Sequence, residues 1–282
     1  MGVIAGFAVP HPPLIIPAVG RGEEKKIQKT IDAYYKAANR IKQLAPDVLV
    51  VSSPHAPLFR DGFHVAVDRE FSGSMADFQA PQERVSVEGD TEFARAIIDA
   101  AAEADIPAGP YGGRNLPLDH ASFIPLWFLR QVGFSAPIVL MGFSGFPFNV
   151  HYRFGRIIAS VADKLDRRVV WVASGDLSHK QKTDGPYGYV PEGPEFDRQI
   201  CEIFASGELD RMADFDESFT DAAAECGLRS FMLMAGALQG KPLDAELLSH
   251  QATFGVGYGV ASFIVKGQTH GASETQAEGG RA

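Results

Sequence analysis

Apolar positions along the chain fall into short continuous runs separated by stretches of helical periodicity. Val3 to Val9 is one such run, stopped by Pro10-His11-Pro12-Pro13, the pattern of a strand buried on both faces that leads into a rigid loop. From Glu23 to Ala45 the residues Ile27, Ile31, Tyr34, Ala38 and Ile41 recur at helical spacing with Lys and Arg opposite, which predicts a crossover helix. Pro46 and Asp47 punctuate, and Val48 to Val51 forms a second apolar run ending in Ser52-Ser53-Pro54-His55. Within Phe59 to Val87, Phe63, Val65 and Val67 alternate with other residues, which predicts short antiparallel strands. Thr91 to Ala104 reads as an amphipathic helix. A Gly/Pro-rich loop from Gly109 to Asp119 then delivers His120 to the apolar stretch Phe123 to Leu129.

Further strands are expected at Ile138 to Met141 and Val169 to Ala173, with a helix from Tyr152 to Leu165 between them. The second of these strands runs into Ser174-Gly-Asp-Leu-Ser-His179. Helices are expected from Glu195 to Ala205 and from about Ala222 to Leu238, the latter beginning near Glu225, and Glu246 to Gln251 with Tyr258 to Val265 reads as a terminal hairpin. Strands alternating with helices predict an α/β fold, a mostly parallel central sheet flanked by helices on both faces with a smaller antiparallel portion. One domain is expected over 1–266, followed by a polar, Gly-rich, disordered tail over 267–282.

Composition narrows the function classes. Hydrophobic residues make up 45% and charged residues 22%, which argues for a globular chain rather than a disordered or fibrous one. A net charge of −9 with no cluster of Lys, Arg and aromatics excludes a nucleic-acid footprint. Cys201 and Cys226 lack C-x-x-C spacing, which removes thiolate zinc sites and a disulfide framework and fits a reducing cytoplasm. Val3 to Val9 has no basic flank and is too short for a membrane span, so no membrane partner is expected.

His11, His55 and His179 each follow an apolar strand candidate by a few residues. Open α/β sheets bind ligands beyond the carboxyl ends of their parallel strands, so these side chains are placed to meet. Glu225 supplies a carboxylate in the small-residue segment Ala222-Ala-Ala-Glu-Cys-Gly, where a helix dipole alone would also stabilise it. Two imidazoles and one carboxylate make the face that non-haem Fe(II) oxygenases use. Zn(II) accepts the same ligands, which leaves a zinc-dependent hydrolase or lyase open, and a non-catalytic metal-binding scaffold or partner protein as well.

The elements Val9-Pro-His-Pro-Pro, Ser52-Ser-Pro-His-Ala, Leu118-Asp-His-Ala-Ser-Phe-Ile-Pro-Leu, Ala173-Ser-Gly-Asp-Leu-Ser-His and Glu225-Cys-Gly-Leu-Arg-Ser resemble, in order and spacing, the catalytic B subunit of class III extradiol dioxygenases. The likeness is greatest to the dioxygenase-like module of the AmmeMemoRadiSam system protein A group. The resemblance implies that His11, His55 and Glu225 bind Fe(II), that His179 is the acid-base residue and that His120 lines the substrate site. It also implies a small aromatic diol as substrate, with O₂ as co-substrate. Asp176 and Ser178 are expected to orient the loop that carries His179. A chain of this size is expected to pair as a homodimer.

Other features carry less. Gly255-Val-Gly-Tyr-Gly lies near the C-terminus with no helix after it, and it does not complete a dinucleotide fingerprint. Gly142-Phe-Ser-Gly is not a serine nucleophile elbow. The Phe-rich segment Phe143 to Phe154 reads as core rather than pocket wall, and His64, His151, His250 and His270 have no motif around them.

Overall fold

A computed structural model describes residues 1–268. The chain opens with strand β1 (Gly2–Val9), buried along its whole length. Helix α1 (Pro17–Gly20) and a 3-10 segment (Glu23–Ile27) lead to α2 (Gln28–Leu44) and the wholly buried β2 (Val48–Ser53). Next come β3 (Phe63–His64), β4 (Glu70–Met75), β5 (Ala80–Glu88), α3 (Thr91–Glu103) and β6 (Ala108–Gly109). They are followed by α4 (His120–Gln131), β7 (Ile138–Gly142), α5 (Phe148–Lys164) and β8 (Arg168–Ser174). The last part holds α6 (Glu192–Ser206), α7 (Glu217–Ala223), α8 (Leu228–Leu238), β9 (Leu243–Gln251) and β10 (Tyr258–Val265).

The main sheet has the order β7-β2-β8-β1-β10-β9. Its first four strands are parallel, and β10 and β9 extend it antiparallel as the expected terminal hairpin. In register, Leu49 lies beside Val170 and Val50 beside Trp171. Val48, Val50, Val169 and Trp171 face a core built with α3, α5, α6 and α8, whereas Leu49, Val51, Val170 and Val172 face one built with α2 and α4. Helices on both faces explain why these strands read as uninterrupted apolar runs. The β4–β5 ribbon is a separate antiparallel pair, as predicted for that stretch, but β3 pairs in parallel with β6. Among the described residues no helix is long and apolar enough to cross a membrane. The tail expected over 267–282, with His270, lies outside the described residues from 269 onward.

The predicted helix from Ala222 to Leu238 is broken in two. Ala224 takes a left-handed conformation (φ 53°) that ends α7, and α8 starts only at Leu228. Glu225 therefore stands in a tight connection rather than in the first turn of a helix. A Cβ at Gly227, also in that connection, would lie 2.5 Å from the Phe231 ring, so the close approach there requires glycine. Helix α8 is pressed onto α5 through two reciprocal glycines: a Cβ on Gly155 would lie 1.9 Å from the Leu233 carbonyl oxygen, and one on Gly236 would lie 1.9 Å from that of Tyr152. On α5, His151 is fully buried; its Nε2 accepts from the Ser144 amide at 3.2 Å, which leaves Nδ1–H to donate to the Pro147 carbonyl at 3.1 Å.

Two predictions follow from this packing. Gly236→Ala forces backbone against backbone and should lower unfolding free energy by about 2–4 kcal/mol in chemical denaturation; an unchanged midpoint would mean that the two helices separate freely. Burial, first of all, lowers the His151 pKa from 6.5 to about 4. Between those values the unfolded chain binds more protons than the folded one, so stability contributed above pH 6.5 is lost as pH falls to about 4. The stability difference between wild type and His151→Gln should therefore change by roughly 3 kcal/mol between pH 7 and pH 4. A difference flat with pH contradicts the assignment.

Candidate metal centre

Because β1, β2 and β8 are parallel, the loops after them leave from one rim of the sheet. His11 follows β1 and is buried, 2% exposed. Its backbone amide donates to Asp176 Oδ1 at 2.7 Å, and its Nδ1 lies 3.1 Å from Ser174 Oγ. The Ser174 hydroxyl donates to the Ala121 carbonyl at 2.7 Å, so toward His11 it acts as an acceptor. The hydrogen-bond network thus assigns the proton to Nδ1 of His11 and leaves Nε2 unprotonated.

His55 stands in the turn after β2, where its amide donates to Ser53 Oγ at 3.1 Å. Ser53 Oγ in turn donates to Asp119 Oδ1 at 2.7 Å. Asp119 caps α4 by accepting from the Ser122 amide at 2.9 Å and the Ser122 hydroxyl at 2.8 Å, which sets His120 at the first position of that helix. One carboxylate therefore ties the loop that carries His55 to the helix that carries His120.

The ring centroids of His55 and His120 are 4.2 Å apart, those of His11 and His55 5.1 Å, and those of His11 and His120 5.5 Å. Ligating atoms of these three residues all lie within 4.8 Å of one another. Burial is the first cause that lowers the pKa of each, and for His11 the rings of His55, His120 and His179 lower it further. His120 falls to about 4. His55 opens to solvent, and three imidazoles whose ring nitrogens lie this close, each with its charged form disfavoured, are a donor set that fits a divalent metal.

Glu225 is not one of the three residues so grouped. Its Oε2 accepts from the Leu228 amide, the first of α8, at 2.6 Å, while burial pushes its carboxyl up to about 7. The next residue reaches the cluster: Cys226 Sγ lies 3.7 Å from His11 Nε2 and accepts the Asp176 amide at 3.3 Å. Asp176 is itself raised to about 7, chiefly by burial.

His179 lies on the loop after β8, with its Nδ1 donating to the Ala224 carbonyl at 2.6 Å. That bond fixes the tautomer with a bare Nε2. Burial lowers its pKa, and the Tyr187 ring packs edge-on against it at 5.2 Å. Ser178 anchors the same loop by donating its hydroxyl to the Ala223 carbonyl at 2.8 Å and its amide to Asp197 Oδ1 at 2.9 Å. His250 also meets Asp197, at 2.6 Å, and thus braces the loop from behind. The Phe-rich segment belongs to the core, with Phe146 and Phe154 packing against Phe63.

Several residues at this rim had no signal in the sequence. Ser174 orients His11, Cys226 abuts it, Tyr187 covers His179, and His64 and Asp68 line a cavity of about 300 Å³ beside His55. Only the position of Ser174 at a strand end next to a histidine-bearing loop could have marked it.

Comparison with known proteins adds the following. A family model described as the catalytic LigB subunit of aromatic ring-opening dioxygenase matches residues 5–261. Protein CA_C1420 of Clostridium acetobutylicum is 35% identical over 261 residues, covering 90% of this chain and 56% of its own length, so the chain spans little more than half of that relative. The 2-aminophenol 1,6-dioxygenase beta subunit of a Pseudomonas species is 24% identical and covers 93% of each chain. The alpha subunit is 21% identical over 94% of this chain and all of its own. Among solved structures, the uncharacterized protein JW3007 of Escherichia coli shares the fold, with a TM-score of 0.63, 17% identity and coverage of 93% of this chain and 99% of that one.

Proposed function

The chain belongs to the family of the catalytic LigB subunit of aromatic ring-opening dioxygenases, and on that premise we propose that it is a non-haem Fe(II)-dependent extradiol dioxygenase that cleaves a catechol-type or 2-aminophenol-type ring with O₂. The observation that carries this reading is the convergence of His11, His55 and His120 at the rim where parallel strands end. Two Pseudomonas relatives bear the names of dioxygenase subunits, which supports both the reaction class and an assembly of more than one chain. For this chain the form proposed is a cytoplasmic homodimer.

His11 and His55 are assigned as ligands with Glu225 as the third, the two-imidazole, one-carboxylate set that suits Fe(II). When bound there, the metal would supply a common coordination sphere in which ring oxygens and O₂ are brought together. The remaining tasks fall to side chains. His179, with Nδ1–H spent on Ala224, presents a bare Nε2 that can take a proton from a ring hydroxyl and return it later. Its lowered pKa keeps that nitrogen available near neutral pH. His120 is proposed to hold the substrate by a hydrogen bond, and Asp176 and Ser178 to orient the loops that carry His11 and His179.

One observation favours a second reading. The residue grouped with His11 and His55 is His120, and three imidazoles are a set that zinc accepts for hydrolysis or lyase chemistry.

Oxygen uptake and ultraviolet-visible spectra after anaerobic loading with Fe(II), over a panel of catechols and aminophenols, test the reaction; no ring-opened chromophore from any of them would refute it. His179→Ala should keep its metal while kcat drops by about 10²- to 10⁴-fold. Full turnover in that variant removes His179 from the chemistry. Metal content separates the ligand sets: His11→Ala, His55→Ala and Glu225→Gln should each bind metal at least about tenfold more weakly, with His120→Ala unaffected. Loss in His120→Ala with retention in Glu225→Gln would establish the three-histidine set instead.

A further inference from the structure

The cavity beside His55 holds about 300 Å³, room for one substituted aromatic ring. Its walls are largely apolar, with Phe71, Leu116 and Leu140 among them, and no lysine or arginine lines it. His64, Asp68 and Asp119 are the polar residues there besides His55. Both oxygens of Asp119 are taken by Ser53 and Ser122. That leaves His64 and Asp68 to meet a ligand.

His64 is buried, 3% exposed, and meets the segment that contributes Gly113, Leu116 and Pro117 to the cavity wall. Its Nδ1 accepts from the Gly112 amide at 3.2 Å, so the ring proton is on Nε2. Among the described residues Nε2–H has no protein acceptor, nor is it sealed off without a partner, so its open side is the cavity that His64 lines. Asp68 accepts from the Asn115 amide through Oδ1 at 3.2 Å, and Oδ2 has no protein donor among the described residues. The polar wall thus offers one neutral donor and one anion. A ring oxygen satisfies the first, whereas the second attracts a cation and repels a carboxylate.

We propose that the substrate ring occupies this cavity, with His64 Nε2–H donating to a ring hydroxyl oxygen and Asp68 selecting a ring substituent that ends in a protonated amine over one that ends in a carboxylate. The identity of the site as a substrate pocket rests on the ring-cleavage reading, but the charge preference follows from the wall itself. Asp68 is the specificity-determining residue and His64 the orienting one.

Calorimetric titration of the full chain with tyramine and with 4-hydroxyphenylacetate tests this without turnover, since each carries a single ring hydroxyl and neither is a ring-cleavage substrate. Tyramine should bind about tenfold or more tightly than the acid. Asp68→Asn should shrink that ratio to less than about threefold, and His64→Gln should weaken both ligands while leaving the ratio in place. Equal binding by wild type, no binding of either ligand, or an unchanged ratio in Asp68→Asn would overturn the proposal. The wild-type ratio decides by itself should a variant fail to fold. A tyramine preference without oxygen uptake on any catechol or aminophenol would sink the reaction and leave the charge preference of the wall standing; ring cleavage without that preference would do the reverse.

Discussion

Three imidazoles can share a space less than 5 Å across only while they are uncharged. At an effective dielectric of about 20, two protonated rings at that separation would repel by roughly 3 kcal/mol, and burial of His11 adds a desolvation penalty to the charged form. The rim is organised around this constraint. Ser174 accepts the hydrogen bond from Nδ1–H of His11 and the Ala224 carbonyl that from Nδ1–H of His179, so each of these rings keeps an unprotonated Nε2. Only His11 is fully buried, while His120 is half-buried and His55 opens to solvent, so a cation could reach this cluster from the His55 side and would relieve the crowding of its ring nitrogens.

The sheet delivers these groups to one place through register. In the β1–β8 pair Val9 lies opposite Ser174, so the hydroxyl that orients His11 is set by strand pairing two residues before the histidine itself. Gly175 continues the contact by donating its amide to the Val9 carbonyl at 2.9 Å. On the other side of β8, Ser52 lies opposite Ala173, which brings the loop after β2 to the same height. Packing then fixes the height of the third layer. Trp171 is buried and donates Nε1–H to Ser52 Oγ at 2.9 Å, and Ser52 Oγ in turn meets Ser230 Oγ on α8 at 2.7 Å. A chain of buried hydroxyls thus ties the strand bearing one histidine loop to the helix that begins just past Glu225.

Much of this was legible because parallel strands buried on both faces leave an unambiguous trace, and a histidine just beyond each such run has a determined address. His11, His55 and His179 were found that way. His120 came through resemblance, although Asp119 with Ser122 three residues on is itself a capping pattern, and it places the ring at a helix start rather than in a loop. The break at Ala224 was not legible. Ala222-Ala-Ala-Glu carries strong helix propensity, and an alanine in the left-handed region is disfavoured locally by about 1–2 kcal/mol. Tertiary bonds decide the matter: the carbonyls of Ala223 and Ala224, which a continuous helix would have consumed, instead accept Ser178 Oγ and His179 Nδ1. His64 was missed for a similar reason, since its partner Gly112 is 48 residues away and its strand neighbours look like ordinary core.

The same break defines what Glu225 can do. Its carboxylate now accepts the first amide of α8, a bond worth about 1–2 kcal/mol, and the burial that raises its pKa to about 7 means that the charged form is held against a desolvation penalty. A carboxylate in this condition gains more from a cation than a solvated one would, because the cation removes a penalty already present in the fold. Cys226, adjacent in sequence and 3.7 Å from His11 Nε2, shows that the backbone of this connection already lies against the cluster. The kink that interrupts the helix is therefore what brings the connection carrying Glu225 and Cys226 against His11, instead of leaving both residues along a helix face.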